Sequence, residues 1–186
     1  MIELTTKPTK QGAVVVLIYL RDGEPHVVFT KRTNNVAAHK GEISFPGGAY
    51  EAQDASLLET ALREAAEELG VDLRGAKVLG KLEDVPTATS GFVIAPFVVY
   101  VDSPPVFQPD PFEVAEVFDV PLRTLLDPSA FHEEEWEIEG VPRTVPFFKH
   151  ENHRIWGATA RILHQFLQLY QAQQMKLPIE SPSVSP

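Results

Sequence analysis

The stretch "SLLETALREAAEELG", Ser56–Gly70, decides how the rest of the chain is read. Ser56 followed by Glu59 is a capping box and Gly70 is a left-handed stop, so a helix is expected from about Leu57 to Gly70. Leu58, Ala61, Leu62, Ala65 and Leu69 recur at helical spacing and make an apolar stripe. Glu64, Glu67 and Glu68 are expected to fall off that stripe together. Residues three and four apart on a helix are neighbours, so Glu64 faces both other acids, and each like-charge pair destabilises an isolated helix by roughly 0.2–0.5 kcal/mol.

Two explanations stand side by side. Glutamates are good helix formers, and three of them can simply make a solvated face. Alternatively the repulsion is relieved by a divalent cation. Oxygen donors without His or Cys suit a hard ion, Mg²⁺ or Mn²⁺, which keeps several waters and completes its shell with substrate phosphate. The segment just before the helix favours the second explanation. "FPGG", Phe45–Gly48, brings backbone to the start of the acidic segment, where the Gly47 carbonyl can join a metal shell and Gly48 lets a phosphate approach.

Further out, "AVVVLIYL", Ala13–Leu20, is an unbroken apolar run followed by "RDGEP" and "HVVFTKR", a strand, a Gly-containing turn and a strand. A strand with no polar face is expected to be central and covered on both sides. The segment from Thr33 to Asp54 reads as loop. "AKVLGKLEDV" and "GFVIAPFVVYVD" read as strands, "EVAEVFDVPLRTLL" as a strand entering a short helix, and "EEWEIEGVPRTVPFF" as a hairpin turning near Glu139 and Gly140. "WGATARILHQFLQLY" is an amphipathic closing helix, and Trp136 and Trp156 are read as packing residues. Strands outnumber helices and include hairpins, so the fold class is α+β with a mixed sheet.

With 186 residues, 44% hydrophobic and 23% charged, the chain is expected to form one domain over 1–175, with a loose Pro- and Ser-rich tail over 176–186. A net charge of −10 argues against binding to nucleic acid, which relies on Lys and Arg. The absence of cysteine removes disulfides, thiolate metal sites and cysteine nucleophiles. No signal peptide or membrane-length apolar run is seen, so a cytoplasmic protein with no membrane partner is expected, and whether it forms a homodimer is left open.

"GAYEAQDASLLETALREAAEELGV", Gly48–Val71, resembles the signature of the Nudix hydrolases, G-x5-E-x7-R-E-U-x-E-E-x-G-U, with Arg63, Glu64, Glu67, Glu68, Gly70 and Val71 in register. Asp54 stands where the pattern has Glu, eight residues rather than seven separate it from Arg63, and Ala65 is smaller than the usual aliphatic. "FTKRTNNVAAHKGEISFPGG", Phe29–Gly48, is similar to the motif preceding the box in the coenzyme A pyrophosphatases of that superfamily, at Thr30, Arg32, His39, Gly41 and Phe45 to Gly48. Thr33 replaces a small residue there and Ala37 an arginine. The likeness runs from about Val27 to Phe166.

The resemblance implies an α/β/α sandwich and metal-dependent hydrolysis of a phosphoanhydride, for coenzyme A to 4'-phosphopantetheine and adenosine 3',5'-bisphosphate. The same machinery would serve ADP-ribose or a dinucleotide, and a Nudix module that senses a nucleotide without cleaving it is the reading from another class. Glu64, Glu67, Glu68 and Gly47 are the expected metal ligands. Arg63 is implied to orient a catalytic glutamate, the competing reading being a plain ion pair with Glu59 or Glu67. Glu113 and Glu116 lie where many members supply a further acid, as ligand or general base. Between Glu24 and Glu42 there is no acid, while Lys31, Arg32, His39 and Lys40 all fall there, a positive strip suited to an anionic nucleotide-type substrate. Gly48 and Phe92 are further candidates for substrate contact.

Overall fold

The structure is a computed structural model and describes residues 10–34, 41–87, 90–138 and 140–178. Its frame is set by β1 (Lys10–Arg21), which runs parallel to β7 (Phe92–Val101) along one edge. The other edge of β1 is shared. Its second half, Ile18 to Arg21, pairs antiparallel with β2 (Glu24–Arg32) through a turn at Asp22 and Gly23, both at positive φ. Its first half, Gly12 to Val14, pairs with the short strand β4 (Gly47–Ala49). β1 and β2 therefore splay apart, and the FPGG segment fills the gap between them. β3 (Ile43–Ser44), β5 (Lys77–Lys81), β6 (Val85–Pro86) and β8 (Val114–Pro121) complete an eight-stranded mixed sheet, with β8 outside β2.

Alternation along β1 divides its side chains between two cores. Ala13, Val15, Leu17 and Tyr19 face α1 (Leu57–Leu69), packing with Ala61, Ala65 and Leu69. Val16 and Ile18 face the opposite side, where α3 (Gly157–Gln171) supplies Ile162, Leu163 and Phe166. That side also carries a second antiparallel sheet of β9 (Phe131–Ile138), β10 (Val141–His150) and β11 (His153–Trp156), entered through α2 (Leu122–Leu126). The result is the expected α/β/α sandwich, and the apolar run is covered on both faces as its composition requires.

Helix α1 begins and ends where its capping residues predict. Ser56 Oγ accepts the Glu59 N–H at 3.2 Å, while the Glu59 carboxylate accepts from Ala55 N rather than from the cap residue itself. Gly70, at φ 63°, closes the helix onto Ala66 O. The segment 102–113 crosses this end as a strap. Gln108 N and Asp110 N donate to the otherwise unpaired carbonyls of Leu69 (2.8 Å) and Glu68 (3.3 Å), and Phe107 packs into the α1 core beside Tyr19. At the chain's far end Met175 and Leu177 pack on the α3 core, and the rest of the expected tail, 179–186, lies outside the described residues.

Two parts of this differ from the sequence reading. The segment read as loop contains β3 and β4, two and three residues long. Turn-forming glycines disguise β4, whose strand character comes from distant pairing with β1 rather than from local propensity.

Candidate active site

β4 is wedged between β1 and α1, and its two glycines permit the two contacts, Gly47 against β1 and Gly48 against α1. A Cβ on Gly47 would stand 2.2 Å from Ala13 O, and one on Gly48 only 2.4 Å from Glu64 Oε2. With hydrogens in those places, Gly47 N donates to Glu68 Oε2 at 3.2 Å and the Glu64 carboxylate rests against the Gly48 backbone. The FPGG segment thus meets two of the three glutamates by main-chain approach.

The three acids are not equivalent, which corrects the expectation that they leave the apolar stripe together. The side chains of Glu68, Glu64 and Glu67 are 6%, 19% and 66% exposed. Glu68 sits on the buried side of the helix because β4 and Arg32 cover it; the stripe alone carries no information about that cover. Burial pushes the Glu68 carboxyl up to about 7, against the opposing pull of the Gly47 N–H and Arg32, with Glu113 and Glu64 adding to the rise. Burial likewise raises Glu64, opposed chiefly by Arg63.

Arg63 is held by a residue whose part the sequence reading did not identify. Asp54, buried, accepts Arg63 Nε at 2.8 Å and Nη2 at 2.9 Å, and also the Thr60 hydroxyl at 2.8 Å and Glu51 N at 3.0 Å. These bonds hold Asp54 well below the usual carboxylate range. Arg63 Nη1 then reaches Glu64 Oε1 at 2.9 Å, with Glu67 at 3.8 Å and the Ala49 carbonyl at 3.5 Å from Nη2. A plain intrahelical pair with Glu59 or Glu67 is therefore the lesser part of its contacts. The available signal was positional: Asp54 occupies the place of the first acid in the pattern, with its offset from Arg63 lengthened by one.

The remaining candidates separate by their place on or beside β2 and β8. Arg32 Nη1 is 3.8 Å from Glu68 Oε1, while its buried Nε has no hydrogen-bond partner among the described residues. Lys31, its neighbour, is registered instead with Glu116 of β8 on the other face of the sheet. There Glu116 Oε2 meets His153 Nε2 at 3.2 Å, and that ring stacks on Phe118. Glu113 lies on the side of the helix acids, near enough to raise Glu68, with its backbone pinned by Thr33: Thr33 N donates to Glu113 O at 2.9 Å and its hydroxyl to Phe112 O at 2.7 Å. So Glu113 is brought to the site and Glu116 is not, and the two described members of the expected positive strip, Lys31 and Arg32, fall on opposite faces of β2. Phe92 lies on the β7 side of β1. His39 and Lys40 fall outside the described residues.

Among the described residues no three His, Asp or Glu side chains are gathered closely enough to hold a metal ion. Glu64 is turned to Arg63, Glu68 to Gly47 N and Arg32, and Glu67 to solvent. The donor chemistry nevertheless suits a hard divalent cation. Oxygen atoms alone are present, two of the carboxyls are partly or fully buried, and burial raises both. Among the described residues no helix is long and apolar enough to cross a membrane.

A model of the NUDIX domain matches residues 9–138. A Photorhabdus laumondii protein named "Uncharacterized Nudix hydrolase NudL" is 34% identical over 159 residues, covering 86% of this chain and 84% of that one. A Yersinia pestis protein of the same name is 36% identical over 159 residues, covering 86% and 79%. Among solved structures, the NUDIX domain of Shewanella oneidensis NrtR complexed with ADP ribose is alike in fold, with a TM-score of 0.53 at 22% identity, over 68% of this chain and 81% of that one.

Proposed function

This chain belongs to the Nudix family and is a Nudix hydrolase of nucleoside diphosphate derivatives; on that premise we propose that it cleaves the phosphoanhydride of coenzyme A or a derivative, giving 4'-phosphopantetheine and adenosine 3',5'-bisphosphate. The observation that supports phosphoanhydride cleavage is the seating of the Gly47–Gly48 backbone on Glu68 and Glu64, with Arg63 fixed by Asp54 beside them. The choice of coenzyme A rests on the likeness of Phe29–Gly48 to the motif of the coenzyme A pyrophosphatases.

Glu64, Glu67, Glu68 and the Gly47 carbonyl are the groups that would hold Mg²⁺ or Mn²⁺. When bound, the ion would screen the pyrophosphate oxygens and lower the pKa of a coordinated water. The chain's own residues do the positioning. Asp54 keeps Arg63 in one rotamer, and Arg63 in turn sets the Glu64 carboxylate. Glu113, delivered by the strap and by Thr33, is the better placed of the two outlying acids to accept a proton from water. Arg32 and Gly48 are the described groups proposed to meet phosphate oxygens, and the likeness to the coenzyme A pyrophosphatase motif adds His39, with Lys40 beside it in sequence. An acidic chain of net charge −10 with a local cluster of basic residues in its sequence fits a small anionic substrate in the cytoplasm better than a nucleic-acid or membrane partner.

ADP-ribose or a dinucleotide is the second reading, because every group named above addresses the shared pyrophosphate. The test is a substrate panel with Mg²⁺ or Mn²⁺ followed by mass spectrometry, comparing coenzyme A, its thioesters, ADP-ribose and NADH. Release of adenosine 3',5'-bisphosphate from coenzyme A supports the first reading. Cleavage of ADP-ribose with coenzyme A untouched replaces it with the second. No cleavage of any member leaves a nucleotide-sensing module, against which the intact acids Glu64, Glu67 and Glu68 now stand.

A further inference from the structure

Beyond Ala49, where β4 ends, a cavity of about 280 Å³ opens between the first residues of β1 and β7, lined by Lys10, Gln11, Ala49, Tyr50 and Phe92. Its frame is backbone-bonded on each side. Tyr50 N donates to Gln11 O at 3.0 Å, Lys10 N to Gly91 O at 3.2 Å, and Thr87 N to Phe92 O at 2.9 Å. The Tyr50 residue nevertheless stays 42% exposed, and Lys10 Nζ lies 5.6 Å from the centroid of the Phe92 ring.

The cavity adjoins the carboxylate site rather than lying apart from it. A Cβ on Gly12 would stand 2.9 Å from Gly48 O and 3.4 Å from Phe92 Cδ1, so the ring and that carbonyl crowd the same glycine. Ala49, which lines the cavity, also offers its carbonyl to Arg63. From Gly48 to Tyr50 is about 7 Å at ~3.3 Å per residue, close to the span of one sugar between its 5'-phosphate and its base. The larger hollow of about 720 Å³, along the outer flank of α1, includes none of Gly47, Gly48, Glu64 or Glu68 in its lining.

We infer that this cavity seats the nucleobase of the substrate, with Tyr50 and Phe92 as its aromatic contacts and Lys10 as the cation beside it. The inference rests on the reading of the chain as a hydrolase of nucleoside diphosphate compounds, and it deepens that reading by naming the groups that meet the base. The volume is too small for a whole dinucleotide or cofactor and adequate for one ring system. Aromatic faces hold bases by stacking, and a lysine beside them meets the acceptor edge of a base or an oxygen of its sugar phosphate. Coenzyme A and ADP-ribose share an adenosine diphosphate end, so one seat serves either.

The experiment has two arms. In the kinetic arm Tyr50→Ala and Phe92→Ala are assayed on whichever pyrophosphate compound the protein cleaves. The expected result is a KM raised about tenfold or more with kcat within about twofold, and near-normal KM in Tyr50→Phe. An unchanged KM, or a loss confined to kcat, overturns the seat while leaving the hydrolase reading intact. The second arm is calorimetric titration with AMP, which needs no turnover. Binding to the wild type that is lost in both alanine variants supports the seat even if no compound is hydrolysed, whereas equal AMP affinity in wild type and variants, or no AMP binding at all, overturns it.

Discussion

Arg63 meets Asp54 edge-on, Nε at 2.8 Å from one carboxylate oxygen and Nη2 at 2.9 Å from the other, leaving Nη1 free to reach Glu64 at 2.9 Å. A shorter acid, set one residue further from the arginine than the family pattern has it, thus still makes a two-pronged contact. Asp54→Asn keeps the shape but loses the charge and one acceptor, so Glu64 is no longer firmly set. Turnover is expected to fall by roughly 10- to 100-fold, as for other residues that orient a catalytic group from behind. Steady-state kinetics beside a circular dichroism spectrum check this; a KM change at constant kcat would point to a substrate contact instead.

The two loop glycines predict two different failures. The nearest atoms to an added methyl at Gly48 are those of the Glu64 carboxylate, which can turn away, so Gly48→Ala should fold normally and lose activity by about a hundredfold or more. At Gly47 the methyl meets the backbone of Ala13 and Val14, which cannot, so Gly47→Ala should show a lowered thermal midpoint as well. Matched melting and activity curves for the pair separate the outcomes, and an active Gly48→Ala would contradict the placement of Glu64.

Glu113 and Glu116 are three residues apart in sequence, yet Glu113, just before β8, lies near Glu68, whereas Glu116, inside β8, pairs with His153. Glu113→Gln is expected to reduce turnover by at least tenfold, whereas Glu116→Gln, which disturbs only the pair with His153, should stay within about threefold. A pH–rate profile adds a check, because removing a general base also removes the acidic limb. Equal effects of the two substitutions would mean that Glu113 is no nearer the reaction than Glu116.

Glu68 gives the metal-free protein a pH dependence of definite sign. Its carboxyl titrates near 7 when folded against an ordinary 4.5, so across that window the native state holds a proton the unfolded chain has released. Stability from this group is therefore fullest at the acid end and declines as pH rises, by about 3 kcal/mol in all. Urea unfolding in the presence of a chelator, at pH 5 and pH 8, should show the wild type losing more stability than Glu68→Gln. Saturating Mn²⁺ should reduce that loss, since a cation stabilises the ionised form. Parallel slopes in wild type and variant would remove Glu68 as the source.

Much of the fold is legible in the sequence where the signal is local or periodic. The limits of α1 follow from Ser56 and Gly70, and the double cover of β1 follows from a run with no polar position. The α/β/α layering came from likeness to a family rather than from any count of residues. What stays hidden depends on partners far along the chain. The burial of Glu68 comes from β4, more than 20 residues earlier, and a helical wheel has no term for it. The register shift in β8, where Ala115 is skipped between the partners of Lys31 and Arg32, is visible only once the two strands are paired. The role of Asp54 was within reach of the sequence as an aligned acid, yet its bond to Arg63 spans a turn whose path composition does not give.

Because β1 lends one side to each core, the two cores cannot open independently. Exposing Leu17 to water withdraws the backbone that Ile18 needs on the opposite face. The chain is accordingly expected to melt as one cooperative unit, with amide protons of Val15 to Tyr19 exchanging only through global unfolding. A protein organised in this way couples the upkeep of its reaction site to packing beneath α3, so a cavity made there would be felt first as a loss of protein and only second as a loss of rate.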